Sequence, residues 1–311
     1  MQKNHNEPRR TLGEKILLFI QNHPKISKIF LHPVFLLSMV IQGSISLSEA
    51  NTLLFKKTPP IEPAKFKYRR VLCKTLMKGI PNLIRDDEIY FNDKKVYFES
   101  EVNKFSFFFA LVLGDQYRAQ QTLSEDSVVI DAGANTGLYS MRAATVAQKG
   151  NVYAFEPDAK NYELLKKNTS GYENIHTYNL GLGDTETTKK FFAADYSGEY
   201  SHFVDNEMPV DEVAKEGMYV DISVTTIDGF VKKNNIQKVD FIKMDVEGYE
   251  AKVLEGARDT IKKFTPQIGM SAYHHKEDKH DLPAILKSID KRYVCVLHRH
   301  PEEDFYCYIE E

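Results

Sequence analysis

The 311-residue chain has room for one large domain, or one domain with a sizeable extension, and its 42% hydrophobic and 27% charged content is ordinary for a globular protein. Three scattered cysteines, Cys73, Cys295 and Cys307, with no C-x-x-C pair, argue against a disulfide framework or zinc ribbon and suit a reducing, cytoplasmic setting. The net charge of −3 hides an asymmetry: residues 1–70 carry 12 Lys and Arg against 4 Asp and Glu, and the remainder 29 against 40. An acidic main body gives no support for a nucleic-acid partner, whereas the basic arm can meet anionic lipid or an acidic protein.

Residues 1–10 read as a polar tail. Thr11 to Asn22, with Leu12, Ile16, Leu17, Phe19 and Ile20, predicts a short amphipathic helix stopped before Pro24. Ile26 to Ile41 is the most apolar stretch, but His32-Pro33 breaks it and it falls short of the roughly 20 residues of a spanning helix. It also starts too late for a signal peptide. The preferred reading is a helix packed on its own domain or on a second subunit. The alternative is an interfacial membrane helix flanked by Arg9, Arg10, Lys15, Lys25 and Lys28, hence a peripherally bound protein. Thr58-Pro-Pro-Ile-Glu-Pro is a stiff linker. It separates a helical extension, residues 1–60, from a main domain, residues 61–311. Phe66 to Leu76 has helical character. Glu88 to Phe91 and Val96 to Glu99 predict a hairpin about a polar turn, and Phe105 to Leu113 a buried helix at a sheet edge.

The stretch organising the main domain is Val128-Val-Ile-Asp-Ala-Gly-Ala-Asn-Thr-Gly137. A β-branched run ends in Asp131, then Gly133 and Gly137 permit a tight turn, and Leu138 to Ala147 is helical. Strand, glycine turn and helix form the opening unit of a nucleotide-binding α/β sheet. A dinucleotide fingerprint fails, because its next two glycine positions hold Asn135 and Leu138, and no Gly-Lys-Ser/Thr of a P-loop follows. Asp131 at the strand end repels phosphates and suits an amino group or a sulfonium. The next strand, Asn151 to Phe155, ends at Glu156, where an acid can take both hydroxyls of a ribose. A nucleoside with a cationic tail is S-adenosylmethionine, with Asp131, Gly133, Asn135, Gly137 and Glu156 as its contacts.

Lys160 to Asn168 predicts a helix and Ile175 to Leu180 a third strand, followed by Gly181-Leu-Gly-Asp184. Thr185 to Ser223 interrupts the sheet with Phe191, Phe192, Tyr196, Tyr200, His202, Phe203 and Tyr219 among acids, an insertion suited to choosing a substrate by stacking on sugar rings, or to plain packing. Val224 to Phe230 leads into a helix. Val239 to Met244 is the fourth strand, ending at Asp245-Val-Glu247-Gly248, with a helix from Tyr249 to Gly256. Gln267 to Ala272 is the fifth, ending at Tyr273-His274-His275. A helix over Leu282 to Ile289 and strands at Tyr293 to Leu297 and Phe305 to Ile309 complete the pattern.

Asp131-Ala-Gly-Ala-Asn-Thr-Gly, Ala154-Phe-Glu-Pro-Asp, Thr226-Ile-Asp, Ile242-Lys-Met-Asp-Val-Glu-Gly-Tyr-Glu and Met270-Ser-Ala-Tyr-His-His occur in the order seen in the FkbM family of S-adenosylmethionine-dependent O-methyltransferases, which the chain resembles from about Asn92 onward. The resemblance implies an α/β, Rossmann-like, doubly wound and mostly parallel sheet of about seven strands with helices on both faces. It implies O-methylation of a hydroxyl on a sugar, glycoconjugate or related small molecule. The alternative is an inactive nucleoside-binding or scaffold protein of the same fold. By the same resemblance Asp184 lies beside the adenine and accepts its amino hydrogen, although a turn aspartate satisfying its own loop reads the same.

Methyl transfer needs alignment above all, and then a group to draw the proton from the acceptor. Asp245, Glu247, His274 and His275 are the candidates. Asp245 stands close to the donor, and the place of His274 in Tyr-His matches the family's pattern for a base. The second His and the longer polar loop Lys276 to Asp281 depart from that pattern. Asp245, Glu247 and His275 can also be drawn as ligands of a divalent ion. However, His275 and His280 lack a metal-ligand spacing, and Glu247 can cap the next helix, so no metal is assigned.

Overall fold

The computed structural model describes residues 83–86, 88–98, 104, 108, 111–112, 116–118, 122–194, 202–203, 217–298 and 303–310. The helices expected before residue 60, the linker at 58–63 and most of 105–113 lie outside them. The described residues fall into two units. The first, within residues 83–96 and including Lys104 and Phe108, is a three-stranded antiparallel sheet of β1 (Ile84–Arg85), β2 (Glu88–Phe91) and β3 (Lys94–Lys95). The expected hairpin is tighter than its sequence suggested. Asn92 and Asp93 both take positive φ, 50° and 61°, so two residues close the turn, Lys94–Lys95 pair with β2, and the Val96 N–H reaches the Ile89 carbonyl at 2.8 Å.

The second unit is built on a seven-stranded sheet whose strands lie, edge to edge, in the order Tyr293–His298, Asp304–Ile309, Gln267–Ser271, Phe241–Met244, Val128–Ala132, Asn151–Phe155 and Ile175–Tyr178. Its first strand, β4 (Val128–Ala132), enters the glycine turn and then α1 (Leu138–Val146). There follow β5 (Asn151–Phe155), α2 (Ala159–Thr169) and β6 (Ile175–Tyr178), paired in parallel outward from β4. Asp158 starts α2, its carboxylate accepting the backbone N–H groups of Lys160 and Asn161 at 2.8 and 3.1 Å.

On the other side of β4 lie β11 (Phe241–Met244) and β12 (Gln267–Ser271), also parallel. The strand order therefore reverses between β4 and β11, and a crevice opens at their carboxyl ends. The helices α3 (Ile227–Lys233), α4 (Glu250–Glu255), α5 (Arg258–Phe264) and α6 (Asp278–Ile289) accompany this half. β13 (Tyr293–His298) and β14 (Asp304–Ile309) close the edge antiparallel. The doubly wound architecture expected from the sequence is thus present.

Continuous apolar runs in the central strands reflect burial on both faces. Ile130, Ile242 and Ile268 stand side by side and fully buried on one face. Val129, Val152 and Phe241 fill the other with Tyr139 from α1. Each such side chain contributes about 1.5–3 kcal/mol of transfer free energy.

Two departures matter. Thr185 to Ser223 is no simple loop: β8 (Thr187–Ala194) and β10 (Gly217–Thr225) pair over eight residues, with β7 (Gly181–Leu182) and β9 (His202–Phe203) alongside, as a second, four-stranded sheet. The cysteines are not all scattered in space either. Cys295 and Cys307 sit directly opposite each other in β13 and β14 and form a disulfide, which corrects the expectation of none. They are twelve positions apart in sequence, and only the hairpin register brings them together. Among the described residues no helix is long and apolar enough to cross a membrane.

Candidate active site

The crevice at the carboxyl ends of β4, β5 and β11 is a cleft of about 580 Å³, open mouth included. One wall comes from the β5 end, with Phe155, Glu156 and Pro157. The opposite end is formed by Asp245, Val246 and Glu247 after β11. Phe191 and Phe203 of the second sheet join the lining, their rings 5.5 Å apart edge to face. Phe203 also lies 4.4 Å from Tyr249 at the start of α4, which ties this sheet to the segment bearing the acids.

Gly133 and Asn135 line the floor. Gly133 takes φ +74°, and a Cβ there would stand 1.8 Å from the carbonyl oxygen of Asp245, so only glycine lets β4's turn pass the end of β11. Asn135, also at positive φ, donates its backbone N–H to Glu156 Oε2 at 2.7 Å. The other oxygen of Glu156 accepts from the Asp158 N–H at 2.8 Å. Glu156 is only 5% exposed, and burial pushes its carboxyl up to about 8 despite these two donors. Each oxygen keeps a lone pair for a further donor.

Asp131 stands elsewhere than its expected place as a ligand contact. Its side chain is fully buried off the cleft wall, accepts from Ser140 Oγ, and pairs with Lys243 Nζ at 3.2 Å. Lys243 in turn donates to the Gly133 carbonyl at 2.6 Å. The pair fastens the glycine turn to β11 from behind. Gly137 is the left-handed residue before α1, and its Cβ would meet Leu165 at 2.7 Å, a packing role. Asp184 also lies off the lining. Partial burial raises its carboxyl, but Lys252, at 3.0 Å, outweighs this and leaves it lowered.

At the opposite end the acids gather around one imidazole. His274 Nε2 lies 3.3 Å from Glu247 Oε2 and 3.8 Å from Asp245 Oδ1, and its Nδ1 lies 3.0 Å from Glu250 Oε1. Asp245 accepts from Ser271 Oγ at 2.7 Å, and Ser271 shares a 2.8 Å bond with the buried Tyr117 hydroxyl. Burial raises the Asp245 carboxyl, but Lys243 and His274 outweigh it and hold it below the usual range. Burial pushes Glu247 up to about 7. For His274, burial works against the charged ring, yet Glu250 and Glu247 overcome it and push the pKa up to about 11. So caged, the ring faces a carboxyl group at each of its two nitrogens.

Glu247 does not cap α4. It adopts φ +53° and lines the cleft, while Glu250 Oε1 accepts the Val246 N–H at 3.0 Å. A non-glycine residue held there costs of order 1 kcal/mol, a strain that clusters at functional sites. His275 turns away. Its Nε2 lies 3.2 Å from the Gly248 carbonyl and its N–H is held by Asp278 at 2.7 Å, so the acids meet His274 and not His275.

Residues 131–293, just over half of the chain, match the methyltransferase FkbM domain. The chain belongs to the FkbM methyltransferase family. The hexuronic acid methyltransferase AglP of Haloferax volcanii is 27% identical over 141 residues, 44% of this chain and 53% of that protein. The 2-O-methyltransferase NoeI of Sinorhizobium fredii is 20% identical over 146 residues, 44% of this chain and 60% of that one. The matches thus span about half to three fifths of these relatives. A crystal structure of methyltransferase FkbM from Methylobacillus flagellatus is similar at 21% identity and a TM-score of 0.45, covering 79% of this chain and 60% of that one.

FkbM membership implies a methyl donor of the S-adenosylmethionine type, and the cleft fits one. A buried carboxylate with spare lone pairs lies beside the apolar Phe155 and Pro157, as a ribose and its base require. Asp245 and Glu247 close the cleft's far end. Sequence reasoning gave no role to Lys243, Glu250, Ser271 or Tyr117. A lysine inside the apolar run Phe241–Met244 was a readable signal, because a buried strand carries a charge only when it is paired. Ser271 and Tyr117 gave none, since 154 residues separate them.

Proposed function

We propose that the chain is an S-adenosylmethionine-dependent O-methyltransferase acting on a hydroxyl of a sugar or glycoconjugate. The observation that carries this reading is one cleft with the buried Glu156 carboxylate at one end and Asp245 and Glu247 at the other. Glu156 would hold the two ribose hydroxyls, with Gly133 and Asn135 presenting the turn beneath, and Phe191 and Phe203 excluding water. The donor supplies a methyl group on a sulfonium, already bearing a good leaving group. The protein's part is therefore to align the acceptor and draw off its proton. Such alignment is worth up to ~7–11 kcal/mol. Asp245 and Glu247 face the cleft and can take the hydrogen bond of an acceptor hydroxyl.

The sugar acceptor is supported by the hexuronic acid that AglP methylates and by the aromatic second sheet, where Tyr219 and Met218 are exposed, and transfer to oxygen by the 2-O-methyltransferase NoeI. The test is calorimetry with S-adenosylhomocysteine, followed by mass-spectrometric detection of methyl transfer to a panel of uronic acids and oligosaccharides. Binding with turnover on a sugar is expected. Absence of binding by the folded wild type would end the reading. Binding without turnover across the panel would favour the inactive nucleoside-binding or scaffold protein.

A further inference from the structure

One imidazole cannot answer the acids around it. Asp245, Glu247 and Glu250 all approach His274, three carboxyl groups around a single ring. Lys243, the neighbouring cation, is engaged with Asp131. The His274 side chain is 8% exposed, and neither ring nitrogen makes a hydrogen bond of proper geometry. A buried polar ring in that condition is costly unless something else satisfies it.

The spacing suits ligands of a common ion. Donor atoms each about 2.1 Å from one cation stand roughly 3.0–3.5 Å apart. Nε2 lies 3.3 Å from the Glu247 oxygen and 3.8 Å from that of Asp245, within a small adjustment of that range. The outer atoms suit it as well. Glu250, buried, sits 3.0 Å from Nδ1, where a carboxylate orients a metal-bound imidazole through its other nitrogen. Ser271 fixes Asp245 at 2.7 Å and is itself bonded to the Tyr117 hydroxyl.

We propose that Asp245, Glu247 and His274 form a site for one divalent cation of the Mn²⁺ type, with Glu250, Ser271 and Tyr117 as positioning residues. Two carboxylates and one imidazole suit an ion that accepts mixed oxygen and nitrogen ligands and keeps waters in its remaining positions. Its catalytic use rests on the methyl-transfer reading. Held there, the ion would supply Lewis acidity that makes an acceptor hydroxyl easier to deprotonate, its proton going to solvent water as its oxygen takes the methyl group and the donor's sulfur leaves as the neutral thioether.

The test is an electron paramagnetic resonance titration of the full chain with Mn²⁺, after treatment with a chelator and its removal. One bound ion per chain is expected. Asp245→Asn and His274→Gln should each weaken binding at least tenfold, and Glu250→Gln by about 10–100-fold, with circular dichroism unchanged. Failure of the folded wild type to bind millimolar Mn²⁺, or undiminished binding by Asp245→Asn and His274→Gln, overturns the site. S-adenosylhomocysteine calorimetry on the same samples separates the two readings. Mn²⁺ bound without the nucleoside leaves the ion site standing and sinks methyl transfer; the nucleoside bound without Mn²⁺ does the reverse.

Discussion

If Glu156 holds the ribose hydroxyls as proposed, it links donor binding to pH. Its carboxyl is pushed up to about 8 by burial, so near neutral pH the ligand-free protein holds it mostly protonated. Two ribose hydroxyls donate best to the ionised form, so binding must release that proton. Apparent affinity for S-adenosylhomocysteine should then fall about tenfold per pH unit below 8, roughly fiftyfold between pH 8 and 6, and level off above 8.5. Stability moves the opposite way. A carboxyl whose folded pKa exceeds its unfolded value of 4.5 holds its proton preferentially in the folded state between the two. Its contribution is complete below about pH 4.5 and is lost as pH rises to 8, a few kcal/mol in all. Glu156→Gln removes both slopes. It replaces charge-assisted bonds of ~1.5–3 kcal/mol with neutral ones of ~0.5–1.5, so binding should weaken about 30- to 150-fold at pH 9 and little at pH 6. Calorimetry from pH 6 to 9, in two buffers of different ionisation enthalpy, measures affinity and proton release together. The variant's profile corrects for the ligand's own titration. A flat wild-type profile with no proton exchange, or equal affinities of wild type and variant at pH 9, would refute the argument.

Three further perturbations probe what supports the cleft. Lys243→Met leaves the fully buried Asp131 carboxylate without its cation and should cost about 3–5 kcal/mol in urea denaturation; adding Asp131→Asn should restore part of it, and no rescue would mean the pair is not coupled. Gly133→Ala places a methyl 1.8 Å from the Asp245 carbonyl oxygen at φ +74° and should destabilise by more than ~2 kcal/mol and abolish nucleoside binding, read by thermal melting and calorimetry. Cys295→Ser opens a loop of 12-residue separation and should cost about 3 kcal/mol without reductant and nothing with it; equal loss under both conditions would place the effect in packing instead.

The chain's local order was legible because its signals are local. β4, its glycine turn and α1 follow from ten consecutive residues, and Glu156 from its place at the end of a second apolar run. Those features determine the first strands of the parallel sheet and the turn at their carboxyl ends. The tertiary structure decided which acids are available. Asp131 and Glu156 read alike as strand-end carboxylates, yet one is buried against Lys243 and the other opens to the cleft, because facing depends on what the adjacent strand contributes. Likewise, His274 and His275 are neighbours in sequence, but one enters a cage of three carboxylates from the segment 245–250 while the other meets a glycine carbonyl. Charge and hydrogen bonding act through space over a few ångströms, and the chain brings Asp245, Glu250, Ser271 and Tyr117 within that range only when the sheet closes.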